Sequence, residues 1–185
     1  MQRRSGQTLV EVMVALFVLT TGFLGILSLL AQSLALSKTV SNDTIATYLA
    51  AEGIELAKNF IDHDVYTYLA PPEGFFGGPW GTTCFTLGGS FEIDYTSTDC
   101  SSLHTYLGVD PPDFLSYSPT TNQYLYAFND ITGTAKPTIF KRGIKVIPNS
   151  GSPVPELTVQ SIVTWNVGLA TNQLMLEDHF YNWYP

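Results

Sequence analysis

The sequence predicts an α+β protein: a long N-terminal α-helix, half membrane-suited and half amphipathic, packed on a C-terminal antiparallel β-sheet head. Three observations carry that expectation. From Val12 to Ser37 the chain reads VMVALFVLTTGFLGILSLLAQSLALS, 26 residues without a charge. From Ser41 to Asp64 apolar residues recur at helical spacing. After Asp64 the composition turns to Gly, Pro, aromatics and short alternating runs.

The whole chain has 185 residues, enough for one domain plus an appendage. It is 45% hydrophobic and 13% charged, about half the usual charge density. Such a chain buries apolar surface rather than staying solvated and disordered. The formal charge of −8 argues against broad electrostatic binding to nucleic acid. Two cysteines cannot build a zinc site by themselves but can form one disulfide.

The first element is the apolar run. About 20 apolar residues span a bilayer core, so Val12–Ser37 is long enough to cross as a helix. A buried core helix would be shorter and amphipathic. Arg3 and Arg4 supply a basic start, but no A-x-A-like cleavage site follows the run at Leu36. A small residue stands before it instead, at Gly6. One acid, Glu11, stands at the edge of the apolar stretch, where a carboxylate costs a few kcal/mol and demands a partner.

The run Ser5-Gly6-Gln7-Thr8-Leu9-Val10-Glu11-Val12-Met13-Val14-Ala15-Leu16 closely resembles the class III signal of type IV pilins and type II secretion pseudopilins. The resemblance implies a leader of residues 1–6, cut between Gly6 and Gln7 by a membrane-embedded prepilin peptidase. It also implies methylation of the new N-terminus at Gln7 and retention of the apolar helix. Glu11 then becomes the fifth residue of the mature chain and the assembly residue. Gln7 stands where the family usually has Phe.

Helical patterning continues past the membrane run. Ile45, Leu49, Leu56 and Phe60 fall on compatible faces, with Glu52, Glu55, Lys58 and Asn59 interleaved. One helix from about Thr8 to about Asp62 is expected, roughly 80 Å long, although Ser41-Asn42-Asp43 offers a second capping point. Residues 7–37 form its membrane and assembly half and residues 38–64 its amphipathic half. Tyr48–Asn59 also looks like a segment recurrent in minor-pilin-type proteins. Gly22, Gly25 and Gly53 each weaken a helix by about 1 kcal/mol relative to Ala, and no Pro appears before Pro71.

Residues 65–185 form the expected head. Thr82–Leu87 and Ser90–Tyr95 flank Gly88-Gly89 and predict a two-residue hairpin. Further strands are expected at Tyr124–Phe128, Thr138–Ile147, Leu157–Trp165 and Gln173–Leu176. In Leu157–Trp165, Leu157, Val159, Val163 and Trp165 share one face by period two. Laid on the second half of the helix, these strands give the pilin architecture. Cys84 and Cys100 fall in this head, which the membrane topology places outside the cytoplasm, where an oxidising compartment predicts a disulfide. Closing that loop is worth about 3 kcal/mol in the chain-entropy model. Many pilins place their disulfide nearer the C-terminus.

Catalytic and metal signatures are missing from the sequence. His63, His104 and His179 are scattered, with no HExxH, no G-x-S-x-G, no phosphate loop and no CxxC. Asp94, Asp99, Asp110 and Asp113 are loop acids without the EF-hand pattern. Asp62-His63-Asp64 reads as a solvated helix end. No cofactor, metal or enzymatic activity is expected.

Lys136, Lys141, Arg142 and Lys145 hold four of the six bases left after leader removal, when 16 acids against 6 bases give −10. Arg142 shares a strand face with Phe140 and Ile144, which predicts an internal ion pair with a helix acid such as Glu55. Exposed tyrosines would suit adhesion, yet aromatics equally fill sheet cores.

Two function classes follow. One is a filament subunit, a pilin or minor pilin of a type IV pilus, with a type II secretion pseudopilin as neighbour. The other is a membrane-anchored binding module such as a tip adhesin or DNA-uptake component. The expected partners are other pilin subunits, prepilin peptidase, the assembly machinery and the membrane, with no specific nucleic acid. The chain would cross the cytoplasmic membrane once before assembly and then reach the cell surface.

Overall fold

A computed structural model describes residues 5–69, 85, 88–98, 103–106, 112–126, 129–130, 133–149 and 156–181, without the side chains of 5–8 and 64–69. One helix, α1 (Ser5–Leu69), is followed by β1 (Gly89–Glu92), β2 (His104–Thr105), β3 (Phe114–Ser118), β4 (Gln123–Tyr126), β5 (Lys136–Pro148), β6 (Glu156–Val167) and β7 (Ala170–Tyr181). The chain is α+β, as its sequence implies. The helix passes both expected ends, starting at Ser5 and running to Leu69. Ser41-Asn42-Asp43 caps nothing and lies within it. By internal contacts the chain divides into two units, Met1–Thr44 and Ile45–Pro185.

In the first unit the apolar side chains of α1 are solvent-facing all round, from Leu9 through Phe17, Leu24 and Leu30 to Leu36 and Val40. No face is reserved for a core.

The second unit is a seven-stranded antiparallel sheet against the remaining turns of α1. Its hub is β5. One edge of β5 takes β3 along its first half (Tyr117↔Lys136, Phe114↔Lys141) and β1 along its second (Phe91↔Ile144, Gly89↔Val146). The other edge pairs with β6 from Phe140↔Trp165 to Pro148↔Leu157. β4 extends the sheet beyond β3, β2 beyond β1, and β7 beyond β6.

The core face is written by period two, since strand side chains alternate between faces. Leu157, Val159, Val163 and Trp165 are all buried, as expected from their spacing, and so are Phe140, Ile144 and Val146 on β5. Two clusters result. Ala57, Phe60 and Ile61 of α1 meet Phe85, Phe91, Ile93, Ile144, Val146, Leu157 and Val159. One helical stretch earlier, Ala46, Leu49 and Ala50 meet Leu115, Tyr126, Phe140, Val163 and Trp165.

Five of the expected strands form at least in part, as β1 and β4 to β7, and β7 runs much longer than Gln173–Leu176. Of the hairpin expected about Gly88-Gly89, Ser90–Tyr95 forms in part as β1, whereas Thr82–Leu87 lies, except for Phe85, outside the described residues. Glycine does supply positive φ there, 67° and 151°. However, β1 is flanked by β5 on one side and β2 on the other, so both its edges are filled. A two-residue hairpin joins β6 to β7 through Gly168-Leu169. Gly168 has φ 64°, the first-position glycine of a type II′ turn, whose twist suits the flanking strands.

Candidate processing and assembly segment

Gly6 and Gln7, the residues either side of the expected cut, lie in the first turn and a half of α1. Glu11 follows four residues after Gln7, about one turn along, and is exposed. The nearest base along the mature sequence is Lys38, about 40 Å away by helical rise. Glu11 is therefore a carboxylate on an otherwise uncharged apolar stretch, one turn from the expected cut at Gln7.

The described threonine hydroxyls of this half are satisfied internally. The Thr20 hydroxyl donates to the Phe17 carbonyl at 3.0 Å, and that of Thr21 donates to Phe17 at 2.9 Å and Val18 at 3.1 Å. Thr39 donates to Ala35 and Thr44 to Val40 in the same way. A hydroxyl bonded to its own backbone adds no unmet donor to an apolar environment. Glu11 has no such recourse, since an ionised carboxylate needs donors that the helix flank does not offer. The helix contains a window long and apolar enough to cross a membrane, none of it buried.

The second half of α1 is tied to the sheet by Arg142. Its side chain is completely buried and reaches α1 between the two core clusters. Nη1 donates to the Leu49 carbonyl at 3.1 Å and pairs with Glu52 Oε2, also at 3.1 Å, while Nη2 donates to the Ile93 carbonyl at 2.8 Å. Arg142 is thus the internal ion partner of a helix acid, but that acid is Glu52 rather than Glu55. Glu55, three residues on, turns to solvent, whereas Glu52 is half-buried on the flank that faces β5. Tyr126 completes the joint, its hydroxyl donating to the Arg142 carbonyl at 2.5 Å. Burial pushes the Tyr126 phenol well above its ordinary range, so it stays a donor.

Gly53 makes this approach feasible. A Cβ there would stand 2.3 Å from Ser161 Oγ and 3.1 Å from Arg142 Cδ. The close helix–sheet contact therefore requires glycine inside a helix, despite its cost of about 1 kcal/mol. The sequence shows that cost without its purpose, and it places Asp94 only among the loop acids. That acid is fully buried. Its carboxylate accepts from the backbone N–H groups of Thr96 (2.9 Å) and Tyr126 (3.0 Å) and from Asn129 Nδ2 (2.8 Å). The local signal was Asp94-Tyr95-Thr96, an Asx-turn pattern.

Cys84 and Cys100 lie outside the described residues, and so does their expected disulfide. His63 is exposed on α1, and His104 Nδ1 lies 3.5 Å from Glu92. His179, on β7, has both ring nitrogens at carboxylates: Nδ1 2.6 Å from Glu156 Oε1 and Nε2 3.3 Å from Glu177 Oε1. Its hydrogen bond to Glu156 raises its pKa above the ordinary imidazole value and lowers that of Glu156. Among the described residues, no group of three or more His, Cys, Asp or Glu side chains is placed to hold a metal ion.

Residues 1–27 match the family model described as the prokaryotic N-terminal methylation motif. No curated protein and no solved structure matches the chain. The matched residues are those that carry Gly6, Gln7, Glu11 and the first half of the apolar run.

Proposed function

We infer that the N-terminus carries the processing signal of a type IV pilin-like or pseudopilin precursor, on an apolar helix that suits a membrane anchor. We propose that the mature chain is a structural subunit, of minor-pilin type, in a type IV pilus or pilus-like filament. Prepilin peptidase removes residues 1–6 and methylates Gln7, and the subunit then leaves the membrane for the cell-surface filament through packing of its N-terminal helix against other subunits. One observation supports this above the rest. From Leu9 to Val40 the apolar surface of α1 has no partner within its own unit, and its single carboxylate has no cation short of the new amine. Bundled stalk helices bury the first and pair the second, because the low dielectric between packed helices strengthens an amine–carboxylate pair.

In this reading the amine freed at Gln7 pairs first with Glu11 of the same helix and then, in the filament, with Glu11 of a neighbour. Glu11→Ala leaves cleavage and membrane insertion intact and impairs assembly. Immunogold labelling of filaments from strains carrying the wild-type and alanine forms tests this, and equal incorporation of the two would defeat it. Dense shaft labelling would make the chain a major pilin instead of a minor one. Assembly that depends on a secretion machinery would make it a pseudopilin. N-terminal mass analysis checks processing: filament protein that begins at Gln7 is expected, and an intact Met1 start would sink the assignment.

A further inference from the structure

The β6–β7 hairpin runs antiparallel to the helix half that it covers. Leu157 and Val159 pack with Phe60 and Ile61, whereas Val163 and Trp165 pack with Ala46, Leu49 and Ala50. The Gly168-Leu169 turn therefore stands at the end of the second unit where α1 enters at Ile45. In the chain, Ile45 follows Ser37, the last residue of the uncharged run, by eight residues, about 12 Å of helical rise.

That end is apolar at its tip. Leu169 is 107% exposed, held out by a two-residue turn, with Val167 beside it 36% exposed. Charge is sorted along the same axis. No charged residue stands between Glu156 and Glu177 on the hairpin, or between Ile45 and Ala51 on α1. Glu156 lies at the opposite end, beyond Leu157, Glu177 and Asp178 stand opposite Gln160 and Val159 in the half of the hairpin away from the turn, and Asp62 follows Phe60 on α1. β5 begins at Lys136, an exposed residue four positions before Phe140, whose partner Trp165 closes the β5–β6 ladder at this end. The acid close to it in the fold, Asp130, accepts the Ala135 N–H at 2.8 Å.

We propose that this end of the unit, led by Leu169 and Lys136, rests in the interfacial layer of the anionic bilayer that α1 crosses before assembly. An exposed leucine gains by entering the headgroup–acyl boundary, and a lysine beside it gains from anionic headgroups. The tight turn presents Leu169 with little conformational freedom left to lose. The acids at the far end keep their distance from a surface of their own sign. The proposal rests on α1 being the membrane anchor, so its test must separate the two.

The full chain is reconstituted in vesicles of phosphatidylethanolamine and phosphatidylglycerol, with a photo-crosslinking benzoylphenylalanine replacing Leu169 or, as control, Asp178. Both sites are exposed, and Leu169 supports no packing that the probe would disturb. Resistance of both proteins to carbonate extraction establishes anchoring, and extraction of both would overturn the anchor reading and this proposal with it. Several-fold more lipid adduct from position 169 than from 178 is expected, and K136E should lower it. Equal lipid adducts at both positions, or adducts from 169 solely to a second copy of the chain, would overturn the proposal while leaving the anchor intact.

Discussion

The two halves of α1 are alike in conformation and opposite in surroundings. Before Thr44, leucines, valines and phenylalanines point in every direction and all are exposed; after Ile45, apolar residues other than Tyr48 and Ala51 are kept to the stripe that the sheet covers. Helicity therefore reveals nothing about where each half resides. What separates them is the angular width of the apolar surface, because a stripe calls for one partner and a full cylinder calls for an enclosing medium. The first half suits an apolar medium, and the second its own head.

Substitutions can break that contrast, and the largest effect is expected at Arg142. Arg142→Ala strips Glu52, the Leu49 carbonyl and the Ile93 carbonyl of their shared donor and leaves a void. Loss of a buried ion-pair partner costs about 3–5 kcal/mol, towards the lower figure here because Glu52 is a third exposed. Arg142→Met, which fills the space without a charge, should cost less. Chemical denaturation of the detergent-solubilised full chain, followed by near-UV circular dichroism of the head, measures both.

Next in size is a matched pair of leucines. Leu49→Ala removes a buried side chain and should destabilise the head by about 2–5 kcal/mol. Leu30→Ala, in the same helix but exposed, should leave that transition within about 0.5 kcal/mol of wild type. Equal losses from the two would erase the distinction between the halves.

Gly53→Ala places a methyl against Ser161 Oγ and should cost about 1–3 kcal/mol by overpacking, against the slight gain that alanine brings to an exposed helix. Gly22→Ala, where a Cβ meets nothing within 4 Å, should show that gain. Combining Gly53→Ala with Ser161→Gly should recover part of the loss, and strict additivity would refute the steric account.

The smallest effect concerns pH. His179 has a raised pKa, so its contribution is complete below the ordinary imidazole value and disappears as pH rises through the raised one. Glu156 has a lowered pKa, so its contribution is complete above the ordinary carboxylate value and disappears as pH falls through the lowered one. The pair thus stabilises most between the two ordinary values. A thermal midpoint that falls slightly from mildly acidic to alkaline pH in wild type, and stays level in His179→Gln, is the expected result.

Much of this contrast was legible before any coordinates. The uncharged run, Gly6 and Glu11 could be read directly, since a membrane and a peptidase both act on linear sequence. Strand β6 was legible because Leu157, Val159, Val163 and Trp165 print the buried face at period two. Strand β3 was not: FLSYS follows two prolines and an aspartate, and its serines 116 and 118 are buried where alternation calls for apolar residues. Two-residue β2 carries no period at all. Glu52 was passed over for Glu55 because three residues separate them, close enough on a helix to share a flank, and only the placement of β5 decides which one meets Arg142. The partners of β1 were hidden for a related reason. Turn propensity is local, while the choice of strand partner is settled by segments 50 residues away, such as Ile144 opposite Phe91.

The hydrogen bond from Arg142 to the Leu49 carbonyl joins residues 93 apart in the chain. It follows that the first element to be synthesised is the last to be covered. Ile61 has left the ribosome while Trp165, about 100 residues later, has yet to be made, a delay of about 5–20 s at ordinary translation rates. Throughout that interval the stripe from Ala46 to Ile61 lacks its sheet, and contacts of such long range form slowly once they can form at all. The newborn chain therefore passes through a stage in which both halves of its helix are equally naked, and a holdase that shields the apolar stripe should raise the yield of folded head far more than one that arrives after residue 165.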